Sequence, residues 1–329
     1  MKKSLYYITI LILLFGFYFS FTNRKLEYSK NIMKMDTYIN IKLYSKNRKA
    51  DKILNEVEYI YNKYDILADA YTKYDNVINV YYLNNVLEVN KEVTISKELA
   101  DLIQYGIDVY NNTNGLVNIA MGNVTGVWKK YINEGTEVPS EKELNNLNIN
   151  INDIVLEGNK FLKKSDVKLD LGSIAKGYVT EEVGNYLESK KIDKYLINAG
   201  GNVKVGKSYK DGKYVIGIEN PNDTNKMYKK INVENKSVVT SGDYQRYYEV
   251  NGIRYNHIIN PKTRFPANNV KSVTVICDNS KDADMYSTYL FLLSLEEALD
   301  YVNNTDNLEA VFYVNDDNII TSKGFSSYE

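Results

Sequence analysis

The chain has 329 residues, 44% of them hydrophobic and 25% charged, which is enough to build a sizeable core in one large domain or two ordinary ones. Its 41 Lys and Arg are balanced by 42 Asp and Glu, so no basic surplus points to nucleic acid. One cysteine, Cys277, excludes an intrachain disulfide and a Cys-based metal site, and one histidine, His257, excludes a multi-histidine zinc site.

Lys2 and Lys3 precede an apolar run over residues 5–21 with no small-residue cleavage site after it. The run is slightly short for a membrane-spanning helix and longer than most signal cores, so residues 1–24 are expected to be an uncleaved anchor rather than a removed signal. Residues 23–32 are polar and read as a linker. Ile39, Ile41 and Leu43 alternate along residues 37–44, a strand pattern. Residues 51–64 carry Ile53, Leu54, Val57, Ile60, Tyr61 and Tyr64 at helical spacing, whereas 74–85 is Tyr/Asn-rich and reads as irregular. Ser96 suits the N-cap of a helix that stops in the run Asn111–Gly115. The acidic, Asn-rich stretch 137–166 predicts a surface helix and a hairpin.

The second half mixes the two periods. A helix is predicted over 173–187, and strands over 195–197, 214–218, 230–233 and 238–240. Asn251-Gly252 separates two further strands, 246–250 and 253–259, as a tight hairpin. A strand over 271–277, a helix over 282–303 and strands over 310–314 and 318–321 complete the chain. The 31 tyrosines suit half-buried strand positions. No internal repeat or Pro-rich linker divides the chain, which predicts one continuous α+β unit over residues 25–329.

Five segments carry candidate chemistry. In KLDLGSIAKGY (168–178), Asp170 precedes a glycine turn into a helix whose free N–H groups and Lys176 suit a phosphate. The motif is neither a Walker loop nor a Rossmann fingerprint, and a capped helix with a surface lysine explains it equally well. In DADMYSTYL (282–290), Asp284 and Thr288 are four apart and share a helix face. A carboxylate and a hydroxyl make a sparse Mg²⁺ site that leaves positions for water and phosphate; a helix cap with a packed threonine is the plainer account. His257 lies on the second arm of the Asn-Gly hairpin. Gly200-Gly201 in YLINAGGN allows either close backbone approach to a ligand or an ordinary tight turn. NGLVNIAMGNVTGVW (114–128) holds the lone Trp128 and would serve as a ring-binding wall or as core.

In this order, these segments resemble the ApbE family of FAD:protein FMN transferases. The resemblance starts at Met35-Asp36-Thr37. It runs through GLVNIAMGNVTGVW, LDLGSIAKGY, NAGGN, IGIENPND (216–223) and TSGDYQRYYEVNGIRYNHIINPKTRFP, and ends in DADMYSTYLFLL, spanning roughly residues 33–325. It implies a single mixed α/β catalytic domain of T-fold-like type. It also implies Mg²⁺-dependent transfer of FMN from FAD to a Thr or Ser hydroxyl of an acceptor flavoprotein, with release of AMP. By the same resemblance, Ser173 (through its carbonyl), Asp284 and Thr288 are expected to hold the metal. Met35, Leu116, Val117, Asn118, Asp170, Lys176, His257 and Ile258 are expected to contact FAD. His257 or the metal-held Asp284 would take the acceptor's proton. The implied partners are FAD, a flavoprotein domain or redox-complex subunit, and a cell membrane whose outer face carries the domain. Binding FAD without chemistry, or splitting it with water into FMN and AMP, are the alternatives.

The chain departs from the family pattern at several points. Val117-Asn118 replaces the usual Phe-Asp, Asn256-His257 the usual paired histidines, and Thr263-Arg264 the usual Thr-Gly. The usual lipobox cysteine is missing. None of these changes touches Lys176, Asp284 or Thr288.

Overall fold

The computed structural model describes residues 9–16, 26–46, 49–209, 212–315 and 318–329. Its frame is an eight-stranded antiparallel sheet, in spatial order β1 (Leu26–Lys34), β2 (Thr37–Ser45), β6 (Tyr195–Ala199), β7 (Asn202–Val205), β10 (Lys236–Gly242), β13 (Ser272–Cys277), β14 (Glu309–Asn315) and β15 (Asn318–Thr321). Hairpin turns fix its register. Met35-Asp36 and Gly200-Gly201 are two-residue turns with φ of 54°, 55°, 60° and 88°, so all four residues are left-handed, as the twist of a tight hairpin requires. A Cβ on Gly200 would run into the Thr37 hydroxyl, so only glycine serves there.

Helices α1 (Ala50–Ala68), α3 (Lys97–Asn112), α6 (Ala175–Ser189) and α7 (Ser280–Leu292) share one core with the sheet, in which Ile39, Ile41, Leu43, Val57, Leu99, Val183, Val273 and Phe291 are fully buried. The other face carries a smaller core. There Val203, Val205, Val238 and Val311 meet Tyr214, Ile218, Ile231 and Val233 of the separate hairpin β8 (Tyr214–Asn220) and β9 (Asp223–Val233), with Phe325 beside them. Being covered on both sides explains why all six residues of β13 are buried. At one end Trp128 of α4 (Gly122–Glu134) anchors a third cluster. It is stacked on Tyr255 at 5.8 Å and edge-on to Phe265, which ties α4 to the hairpin β11 (Tyr247–Val250) and β12 (Ile253–Asn256).

The elements expected over 137–166 are present as α5 (Glu141–Asn145) and the strands β4 (Ile154–Glu157) and β5 (Lys160–Lys163); β3 (Glu92–Thr94) pairs with β5. Several expectations are corrected. Residues 26–34 are the sheet-edge strand β1, not a linker. Its lysines are held by salt bridges to α1, Lys30 to Glu58 and Lys34 to Asp65, and Ile32 is buried. Within 74–85 a short helix, α2 (Val80–Asn85), starts from the Asn79 cap. The helix expected over 282–303 is two. Ser294 and Glu297 form a capping box that starts α8 (Leu295–Asn303), a stop hidden in the apolar run LFLLSL.

His257 is not on a strand. β12 ends at Asn256, whose side chain donates to Ala267 O (2.7 Å) and accepts from Ile258 N (2.8 Å), pulling the chain out of the ladder. Among the described residues no helix is long and apolar enough to cross a membrane. Residues 9–16 form a short exposed helix, and the rest of the expected 1–24 anchor lies outside the described residues.

Candidate active site

The site forms where the first turn of α6 meets α7. Gly177 makes this approach possible: a Cβ there would lie 2.5 Å from Ser280 O and closer still to Asp284 Cβ. With no side chain in the way, Gly177 N–H, in the first turn of α6, donates to Asp284 Oδ2 at 2.7 Å. The acid thus caps a helix N-terminus from another helix, where free N–H groups and the dipole favour negative charge. Asp284 is only 6% exposed. Burial pushes its carboxyl above the usual carboxylate range, while Lys176, the Gly177 N–H and Asn202 pull the other way. Lys176 forms no ion pair within 4 Å among the described residues, leaving its charge to the cleft. Thr288 lies one helical turn beyond Asp284 and is half-buried, as is Ser173 in the turn before α6.

Asp170 is aimed by the segment before it. The buried Asn84 imitates a strand partner, donating to Leu169 O (2.9 Å) and accepting from Leu169 N (2.7 Å), and Asp170 N donates to Ile119 O. Asp170 Oδ1 accepts from Gly172 N at 2.8 Å, which shapes the turn into α6. Its carboxylate lines a cleft with Tyr71, Asn85, Gly122 and Thr125.

His257 lies within electrostatic reach of Asp170 and Lys176. Protein surrounds its ring on most sides, yet more than a third of its surface is open. Its Nδ1 lies 3.3 Å from Arg246 O; a carbonyl can only accept, so Nδ1 carries the proton and Nε2 keeps its lone pair. Desolvation, then the Lys176 and Arg246 cations, lower its pKa from 6.5 to about 4, opposed by Asp170 and the Arg246 carbonyl. The imidazole is therefore neutral at pH 7. Arg246 also reaches the β1–β2 turn, donating to Asp36 O at 3.2 Å, and Met35 N donates to Asp65 Oδ1 at 2.6 Å. Met35 is held at φ 54°, which is uncommon for a non-glycine residue and lacks the local hydrogen bond an Asn or Asp side chain supplies.

Lys176 therefore acts on both His257 and Asp284, and Asp170 on His257, with Met35 at the turn that Arg246 reaches. Leu116 and Val117 are instead buried in the main core, and Ile258 beside His257 is buried too. Asn118 spends its amide internally, donating to Ile149 O (2.9 Å) and accepting from Ala120 N (2.8 Å). Sequence reasoning missed Asn84, Gly177, Asn202 and Arg246. A glycine in the first turn of a helix was the one signal available, since it marks a close packing partner.

Among the described residues no three His, Cys, Asp or Glu side chains cluster as a metal site. Asp284, Thr288 and the Ser173 carbonyl supply only hard oxygens, one of them a buried carboxylate without a full counter-ion. That donor chemistry fits a Mg²⁺ whose remaining positions are filled by water and phosphate.

The fold is a mixed α/β domain in which a buried acid is seated on a helix start beside a lysine that has no ion pair among the described residues. Residues 35–312 match the ApbE family model, and the chain belongs to the ApbE family. The FAD:protein FMN transferase of Klebsiella pneumoniae is 30% identical over 302 residues, 90% of this chain and 92% of that one. The enzyme of the same name from Haemophilus influenzae is 30% identical over 292 residues, 85% and 83% of the two chains. The ApbE protein of Thermotoga maritima superposes with a TM-score of 0.83 at 25% identity, covering 92% of this chain and 99% of its own. The Vibrio cholerae flavin transferase ApbE shares the fold, with a TM-score of 0.79 at 24% identity over 93% of this chain and 100% of that one.

Proposed function

We propose that this protein is an FAD:protein FMN transferase. It moves FMN from FAD to a Thr or Ser hydroxyl of an acceptor flavoprotein, with Mg²⁺ and release of AMP. The observation that carries this reading is the buried Asp284 seated on the first turn of α6, with the unpaired Lys176 beside it and the neutral His257 opposite. The near-full-length similarity to relatives of that name supports it.

In the reaction the acceptor hydroxyl oxygen attacks the FMN-side phosphorus. The new P–O bond forms as the bond to the bridging oxygen breaks, and AMP leaves. Such transfers are mostly a matter of positioning and charge stabilisation. Lys176 stabilises the diphosphate, and Asp170 orients FAD from the cleft wall. His257 Nε2 accepts the hydroxyl proton. Asp284, Thr288 and the Ser173 carbonyl would hold Mg²⁺, which when bound neutralises charge on the phosphates.

Incubating the protein with FAD, Mg²⁺ and an acceptor domain tests this. Covalent flavin fluorescence on the acceptor is the expected result. Free FMN plus AMP would mean a hydrolase, and unchanged FAD a binding protein. The apolar run over residues 5–21 supports a membrane-anchored protein, and the resemblance to the family is the ground for placing its domain outside the cytoplasm. Recovery of the full chain in the soluble fraction of its native cell would refute that location.

A further inference from the structure

A buried polar chain runs beneath Asp284, and no step of the proposed reaction uses it. It starts at the ion pair between Lys204 Nζ of β7 and Glu181 Oε2 of α6, 3.0 Å apart with side chains 8% and 12% exposed. Glu181 Oε2 accepts from Ser280 N at 2.6 Å, at the first residue of α7. Ser280 Oγ donates to Asn202 Oδ1 at 2.7 Å. Asn202, the first residue of β7 after the Gly200-Gly201 turn, is 1% exposed. Its remaining polar atom, Nδ2, is buried and has no hydrogen-bond partner of good geometry.

An orphaned buried donor is costly to keep, so its persistence calls for a reason. The reason lies one turn up α7. Ser280 and Asp284 are four residues apart and share a helix face. With Oδ1 tied to Ser280, Nδ2 is left without a partner beside the α7 face that carries Asp284. Gly177 N–H already takes Asp284 Oδ2.

We infer that Asn202 is a positioning residue for Asp284. Ser280 sets the flip of its amide, and the Lys204–Glu181 pair holds Ser280 in place, so that Nδ2 steadies the carboxylate in the rotamer that receives a divalent cation. The inference rests on the reading of Asp284 as a metal ligand. Supporting groups of this kind are typically worth about 10- to 100-fold in metal affinity.

The test is Mn²⁺ binding to the full chain without FAD, followed by electron paramagnetic resonance, with thermal unfolding alongside. Asn202→Leu removes the amide at similar volume, and Ser280→Ala keeps the amide but frees its flip. The expected result is about tenfold or greater weakening of Mn²⁺ binding in Asn202→Leu and a smaller loss in Ser280→Ala, with transfer rates recovering at saturating metal. If Asn202→Leu does not fold, Ser280→Ala decides alone. Wild-type Mn²⁺ affinity in a folded variant would overturn the role of Asn202 and leave the metal reading intact. A wild-type protein that binds no Mn²⁺ would overturn both.

Discussion

Gly177→Ala is the sharpest perturbation of this site. The added methyl would stand 2.5 Å from Ser280 O and closer to Asp284 Cβ, where carbon contacts normally begin at about 3.5 Å. Both obstacles are on α7, one of them backbone, so the two helices must part by about 1 Å. Overpacking of this kind costs about 1–3 kcal/mol. Losing the Gly177 N–H bond to a buried carboxylate costs about 1.5–3 kcal/mol more. Alanine's better helix propensity returns up to about 1 kcal/mol. The net expectation is a loss of about 2–5 kcal/mol, and at about 2 °C per kcal/mol for a chain of this size the Tm falls by about 4–10 °C. Displacing Asp284 by about 1 Å would cut FMN transfer by about 100-fold. Gly126→Ala is the control: it sits in the exposed interior of α4 with open space around its Cβ, and there alanine should be neutral or stabilising by up to about 1 kcal/mol. Circular-dichroism melts read both variants, and acceptor fluorescence reads Gly177→Ala. A Gly177→Ala protein within 2 °C (about 1 kcal/mol) and about twofold of wild type would refute the close helix approach.

Asp284→Asn keeps the shape and removes the charge, so the protein should fold while FMN transfer at any Mg²⁺ concentration drops by about 100-fold or more; wild-type transfer would remove Asp284 from the site. His257 is the chain's one histidine, so its proton resonance can be titrated without assignment. The midpoint is expected near pH 4, rising only in part in Lys176→Met because burial is the larger cause, and a wild-type midpoint at 6.5 would mean that neither burial nor the cations act on it. Because the folded value lies below the unfolded one, its contribution to stability is complete above about pH 6.5 and is lost as pH falls toward 4. Arg264→Gly relieves a left-handed φ of 64°, worth about 1–2 kcal/mol, but loses the guanidinium bonds to Leu144 O and Leu147 O. A net loss of about 1–3 kcal/mol in chemical denaturation is expected, and a more stable variant would contradict it.

What the sequence made legible is what short-range physics specifies. Alternation at Ile39, Ile41 and Leu43, the Asn251-Gly252 turn and the Ser96 cap all produced the elements they predict. Two of the misses share a cause, which is that the deciding interaction lies outside the local sequence. β1 looked like a linker because its lysines pair with α1 residues 28 and 31 positions later. His257 left its strand because Asn256 bonds across to Ala267. Arg264 stands where the family usually has glycine. The structure shows why: the position is left-handed, and the arginine offsets the strain with bonds about 120 residues back. The site residues were the least legible individually, since each occupies a cap or a turn and so has an ordinary structural use. Only their order along the chain set them apart.

Lys176 acts to lower the pKa of two groups. It lowers the cost of charge on Asp284 and raises the cost of a proton on His257. With Arg246 it makes the empty cleft a poor place for a general base, because an imidazolium there would face two cations. In the proposed reaction a bound diphosphate would bring negative charge to those same cations and weaken their part of the shift, so the imidazole's basicity would rise in part, the larger share set by burial remaining. Proton abstraction is thereby tied to occupancy, and a hydroxyl entering before FAD meets a weak base. The same logic separates transfer from hydrolysis. Whichever nucleophile reaches the phosphorus beside Nε2 meets the base only after the phosphate has activated it, so selectivity between water and a protein hydroxyl rests on access to the cleft rather than on the strength of His257.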